Sequence, residues 1–136
     1  MPMTPEQART VIAHAHEHAG TIGVRISVAV VDEGGVLQAL ERMEGAPPLS
    51  AQIAEAKAAG SALWHRDGDA MAATGDSRPG FFDAVSKLTR LPLLPADGSV
   101  LARDGDRVLG AIGVSGALPE QDRECAEAGL KAALSG

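Results

Sequence analysis

The chain has 136 residues, with 18 acidic against 12 basic side chains and a formal net charge of −6. Its length suits a single domain over residues 1–136, and a hydrophobic fraction of 45% excludes a disordered chain. The acidic balance repels a phosphate backbone, and three aromatic rings (Trp64, Phe81 and Phe82) make no platform for stacking bases, so no nucleic acid is expected as a partner.

Thr4-Pro5-Glu6-Gln7 predicts a helix start, with a capping hydroxyl, proline at the first position and glutamine closing a capping box. Ala8, Val11, Ile12, Ala15 and Ala19 follow at helical spacing, and Gly20 is the expected left-handed stop. In the next run, Val24, Ile26, Val28 and Val30 share one face of a strand that ends at Val31. Asp32-Glu33-Gly34-Gly35 is turn chemistry, and residues 36–43 form the second strand of a hairpin. After the break at Gly45-Ala46-Pro47-Pro48, Ser50 is the expected cap of a helix reaching about His65. Residues 67–95 give short signals, with brief helical turns at 70–74 and 81–88 separated by Gly75 to Gly80. A second hairpin joins residues 99–103 to 107–114 through Asp104-Gly105-Asp106, and Pro119 opens a last helix running nearly to Gly136. The order helix, hairpin, helices, hairpin, helix implies an α/β (α+β) fold in which helices pack on an antiparallel sheet.

Composition also bears on partners and location. The apolar residues are mostly Ala, Val and Leu, which each bury modest area, so part of the stabilising burial is expected at a homo-oligomer interface. No apolar run approaches the roughly 20 residues that span a bilayer, so no membrane partner is expected. The opening residues lack the regions of a signal peptide, and the single Cys125 excludes an internal disulfide; the expected location is cytoplasmic. Cys125 sits among Ala126, Gly129 and Ala132 and reads as a small core residue.

Gly110, Gly113 and Gly116 lie where a strand gives way to the last helix. Glycines there let a ligand reach the backbone, with the helix N–H groups and Ser115 close by; equally, they admit the small residues of that helix. Their spacing is not that of a dinucleotide fingerprint. Lys57 falls inside the apolar stripe of its helix, beside Ile53, Ala56, Gly60 and Trp64, so it binds a ligand carboxylate, pairs with a buried group or snorkels out. His14, His16 and His18 cannot form one metal site on a helix, because His16 points about 160° away from His18 at the helical period. His14 and His18 are neighbours at i and i+4, and His18 borders the apolar stripe, where its imidazole could reach a ligand's iron. His65, ending a helix, reads as structural. Arg42 closes the second strand, where its guanidinium could grip a carboxylate.

These residues resemble a known family. Ser27-Val28-Ala29-Val30-Val31-Asp32 with Gly35 and Arg42-Met43-Glu44-Gly45-Ala46, then Ala54-Glu55-Ala56-Lys57-Ala58, and most specifically Gly110-Ala111-Ile112-Gly113-Val114-Ser115-Gly116 before Glu120-Gln121-Asp122, are similar to the GlcG/HbpS-like haem-binding and haem-degrading proteins, also found as the C-terminal domain of PduO. The resemblance implies a profilin-like antiparallel sheet, assembly as dimers or larger oligomers, and links to haem, corrinoid metabolism or glycolate use. Glu44 stands where the family carries Asp, Gly60 where it carries Thr, and Asp97-Gly98-Ser99-Val100 where it carries Gly-Gly-x-Pro. The resulting expectation is a small-ligand-binding protein for haem or a related tetrapyrrole, with His18, His14, Arg42, Lys57, Gly113, Ser115 and Gly116 around the ligand. Tyr is absent, which leaves His18 as the expected iron ligand and Met43 as a weaker one. The alternative is an enzyme acting on a small carboxylate, with Lys57 and Arg42 as anion clamps and Glu44 or Asp32 as acid or base.

Overall fold

The structure, a computed structural model, describes residues 2–134. Nine elements follow one another: α1 (Pro5–Thr21), β1 (Ser27–Asp32), β2 (Leu37–Arg42), α2 (Ser50–Trp64), α3 (Gly68–Ser77), α4 (Pro79–Ser86), β3 (Ser99–Asp104), β4 (Arg107–Ser115) and α5 (Pro119–Leu134). The last two residues, into which the final helix was expected to run, lie outside the described residues.

The strands form one antiparallel sheet in the order β2-β1-β4-β3. Two hairpins therefore lie side by side, with β1 and β4 as the central strands. Residues of β1 from Ser27 to Val31 are all buried, because both faces of the sheet are covered. Alternation sorts them: Val28, Val30, Ile112 and Val114 pack with Ala15, Ala19 and Cys125 under α1 and α5, whereas Ala29, Val31 and Ala111 meet Ala54, Ala58 and Ala62 of α2 on the opposite face. The alanines recur every four residues, so α2 lays a flat, small-residue stripe on the sheet.

Local chemistry sets the turns. Thr4 and Gln7 exchange the two hydrogen bonds of a capping box at 3.0 and 2.9 Å. In the first hairpin, Asp32 Oδ1 accepts from the N–H groups of Gly34 and Val36, and Gly35 takes φ +78°. Gly105 does the same for the second hairpin, with φ +62°.

Three local expectations are corrected. α1 passes through Gly20 and is capped at Ile22, with Gly23 rather than Gly20 in the left-handed region. Ser50 lies inside α2 and is not its cap; its hydroxyl bonds Pro47 O at 2.5 Å and the Ser27 hydroxyl at 2.8 Å, tying the helix start to β1. Gly75 to Ser77, expected as a break, belong to α3, which is a full helix. Tertiary packing overrides the weak helical preference of Gly75 there, since Pro95 fills the space where its side chain would be.

Candidate functional site

The three glycines around the end of β4 are occupied by the protein itself. A Cβ on Gly113 would collide with Ala54 O and lie 2.6 Å from Ala58 N, so Gly113 is where α2 touches the sheet backbone. Gly110 (φ +156°) meets the carbonyl of Val31, and Gly116 (φ +132°) meets the carbonyl of Arg25. They admit β1 and α2, not the last helix. Ser115 is buried and paired in register with Ser27. At the start of α5 the N–H groups of Ala117 and Leu118 donate to Asp122 Oδ1 at 3.0 Å and Gln121 Oε1 at 3.1 Å. Two of the donors expected for an anionic ligand thus meet acceptors on their own helix.

Lys57 turns inward at the same end of the sheet. Its ammonium donates to Val114 O at 2.9 Å and to Asp122 Oδ2 at 3.2 Å, with both side chains almost fully buried. Burial pushes the Asp122 carboxyl above its ordinary value; the Lys57 charge and the Ala117 N–H pull it back only in part. Gly98, the one glycine retained in Asp97-Gly98-Ser99, is required here. With φ +121°, it leaves open a point 2.7 Å from Lys57 Nζ and 2.8 Å from Val114 O that a Cβ would take. Gly60 faces the other way, onto Met71 and Leu93, which fill the room left by a missing side chain.

The other expected site residues lie elsewhere. Arg42 is exposed at the end of β2 and donates to Ala46 O at 3.2 Å. Glu44 is exposed, and its carbonyl accepts from Arg25 at 3.3 Å. Asp32 holds the hairpin turn, and the Met43 sulfur accepts from Ile26 N at 3.4 Å. The structure does not bring Arg42 and Lys57 together: one sits on an outer strand, the other under α5.

The histidines diverge as the helical period requires. His16 turns to β2, bonding Glu41 through its carbonyl at 3.3 Å and its carboxylate at 3.4 Å. His18 turns to α5, where Nε2 lies 2.5 Å from Glu124 Oε2 with about a third of the side chain exposed. His14 is exposed one turn before it. Among the described residues, no three His, Cys, Asp or Glu side chains are placed to hold a metal ion. Sequence reasoning missed both carboxylate partners, Asp122 and Glu124. The available signal was Asp122 in the first turn of a helix, where an acid complements the dipole.

It also missed an apolar groove of about 280 Å³ between Leu49, Gln52, Ile53 and Ala56 of α2 and the segment of Leu91, Pro92 and Leu94.

Comparison with known proteins places this arrangement. The family described as haem degrading protein HbpS-like matches residues 3–131. Protein GlcG of Escherichia coli K12 is 32% identical over 113 residues, covering 83% of this chain and 81% of that protein. A double mutant of HbpS from Streptomyces reticuli superposes with a TM-score of 0.86 at 28% identity, covering 96% of this chain and 86% of the other. A PduOC:haem complex has the same fold, with a TM-score of 0.86 at 22% identity, covering 97% and 95%. No helix among the described residues is long and apolar enough to cross a membrane. With a family match across nearly its whole length and the sheet, helices and β4 glycines in place, the chain belongs to the HbpS-like family.

Proposed function

We propose that this protein binds haem or a related tetrapyrrole as a homo-oligomer, with the imidazoles of α1 facing the ligand. The observation that carries the reading is the family match over residues 3–131, to proteins described as haem degrading. The fold is also one that holds haem in PduOC.

The donors on α1 suit iron. His14 and His18 stand at i and i+4, so both imidazoles leave the same side of the helix. Glu124 orients the His18 ring, as carboxylates commonly do for metal-binding imidazoles. His18 and His14 would hold the metal; haem, when bound, supplies the redox-active iron. Lys57, Gly113, Ser115 and Gly116 serve this reading indirectly, by fixing α2 and α5 against the sheet, and Arg42 by holding the loop at Ala46.

The test is the visible absorption spectrum of the purified protein titrated with haem. A Soret band should develop, His18→Ala should shift or weaken it, and His16→Ala, whose ring is engaged by Glu41, should leave it in place. A wild type that develops no Soret band would refute the reading. Equal bands in the His14, His16 and His18 variants would refute ligation from α1.

A further inference from the structure

α1 and α5 together hold six acids against three bases, Arg9, Arg123 and Lys131. Two of the bases are turned away from the flank where His18 meets α5. Arg9 lines a hollow on the other flank of α1, with Ile12, Ala13 and Glu41. Arg123 contacts Asp69, Asp97 and Glu127 at 3.3, 3.4 and 3.7 Å. Lys131 is different. It is exposed in the last turn of α5, where a cation complements the helix dipole, and it meets no other side chain among the described residues.

Two contacts fix where Lys131 stands. His18 Nε2 meets Glu124 Oε2 at 2.5 Å, and further along α5 Gly129 packs so close to Val11 that a Cβ would lie 2.5 Å from its carbonyl oxygen. α5 therefore runs antiparallel to α1, advancing from Glu124 to Gly129 while α1 goes back from His18 to Val11. Glu124, Ala128 and Lys131 stand at i, i+4 and i+7, on one side of α5. That spacing puts Lys131 roughly 10 Å along the axis from Glu124. Lying two residues past Gly129, it stands beside the stretch around Thr10 and Val11, about one helical turn (roughly 5 Å) from His14. Ala128 contributes only a methyl group to the flank between Glu124 and Lys131.

Charge then decides which ligand suits this flank. A tetrapyrrole with carboxylate arms brings negative charge to a chain whose net charge is already −6. It needs a cation near the imidazoles, and Lys131 is the base of these two helices left free to supply one. A corrinoid rimmed with neutral amides has no such need. We infer that the Lys131 ammonium receives a carboxylate arm of the ligand whose metal His14 and His18 hold. The site thereby selects a porphyrin with acidic arms, as haem has, over an amide-rimmed corrinoid. The inference rests on the tetrapyrrole reading of the proposed function and deepens it from a class of ligand to one charged group on the ligand's rim.

Titrations of the full chain with haem and with haem dimethyl ester, followed at the Soret band, test it. Esterification removes the carboxylate charges and keeps the ring and the iron. Wild type should bind haem about 5-fold more tightly than the ester, the scale of one exposed ion pair, and added salt should narrow the margin. Lys131→Gln should weaken haem binding by that factor and leave the ester and the circular dichroism unchanged, whereas Lys131→Arg should keep the preference. A wild type that develops no Soret band with either ligand overturns both the tetrapyrrole reading and this inference. Soret bands with equal affinities for haem and ester, or a preference that Lys131→Gln leaves intact, overturn only the inference. A Lys131→Gln variant that loses both ligands alike shows the residue to act on the fold, and likewise overturns it.

Discussion

At the scale of single residues, close approach of backbone separates glycines that look alike in the sequence. Gly113→Ala forces a Cβ into the Ala54 carbonyl and Ala58 amide of α2, so it should cost about 3 kcal/mol or more, beyond ordinary overpacking because backbone must move. Gly20→Ala meets nothing within 4 Å on a helical turn and should stabilise by up to about 1 kcal/mol. Urea midpoints of the two variants check the contrast. Lys57 gives a second residue-scale prediction. Lys57→Met leaves Asp122 buried without its cation and should cost about 3–5 kcal/mol near neutral pH. The raised Asp122 carboxyl has a definite sign: the native chain holds that proton more tightly than the unfolded chain. Through this group, stability rises as pH falls from neutral through the raised value, and the gain is complete once the unfolded carboxyl is also protonated, below the ordinary value of 3.8. Comparing wild type with Asp122→Asn over this window should show the difference in urea midpoint moving in favour of wild type on acidification. A difference that does not change with pH would mean that Asp122 has no raised value.

At the scale of elements, the periodicities were legible and the ends were less so. Thr4-Pro5-Glu6-Gln7 specifies its own capping box with four adjacent residues, and that start was readable. Thr4→Ala should lower stability by about 1 kcal/mol, seen in thermal melts followed at 222 nm. The end of α1 was misplaced because the sequence offers Gly20 and Gly23 within three residues, and either accepts a left-handed backbone. Val24 N bonding to Ala19 O at 3.0 Å comes with the left-handed turn at Gly23, and that bond is visible only in the fold. The extent of α3, expected only as a brief turn at 70–74, was underestimated for a similar reason. Its helix is short, and its buried residues, Gly68 and Met71, are set by contacts with the β3 edge and with α2. Asp67, just before it, accepts from Leu101 N at 2.8 Å, a bond across 34 positions of sequence.

At the scale of the whole molecule, all three aromatic rings gather away from the sheet. Trp64 stacks on Phe82 at 5.5 Å and meets Phe81 edge-on at 6.1 Å, and Phe82 joins Met71 and Leu93 in a small cluster that anchors α3 and α4. Few residues of those helices are buried, so they should open below the free energy of global unfolding. Fluorescence of the lone Trp64 should therefore change at lower urea than circular dichroism does, and amides of residues 68–86 should exchange before those of β1 and β4. Coincident transitions would show the cluster and the sheet to be one cooperative unit. The sequence by itself determined the order of elements, the two hairpins, the faces of β1 and the divergence of His16 from His18, because each follows from a local period or a turn built from adjacent residues. It also placed Lys57 in an apolar stripe and marked Gly110, Gly113 and Gly116 as special. Only the tertiary structure decided that Lys57 meets Asp122, that His18 meets Glu124, and that the glycines admit β1 and α2. These are pairings between groups as far as 106 positions apart in the chain, and no local period encodes which distant side chain the packing of sheet and helices will bring opposite.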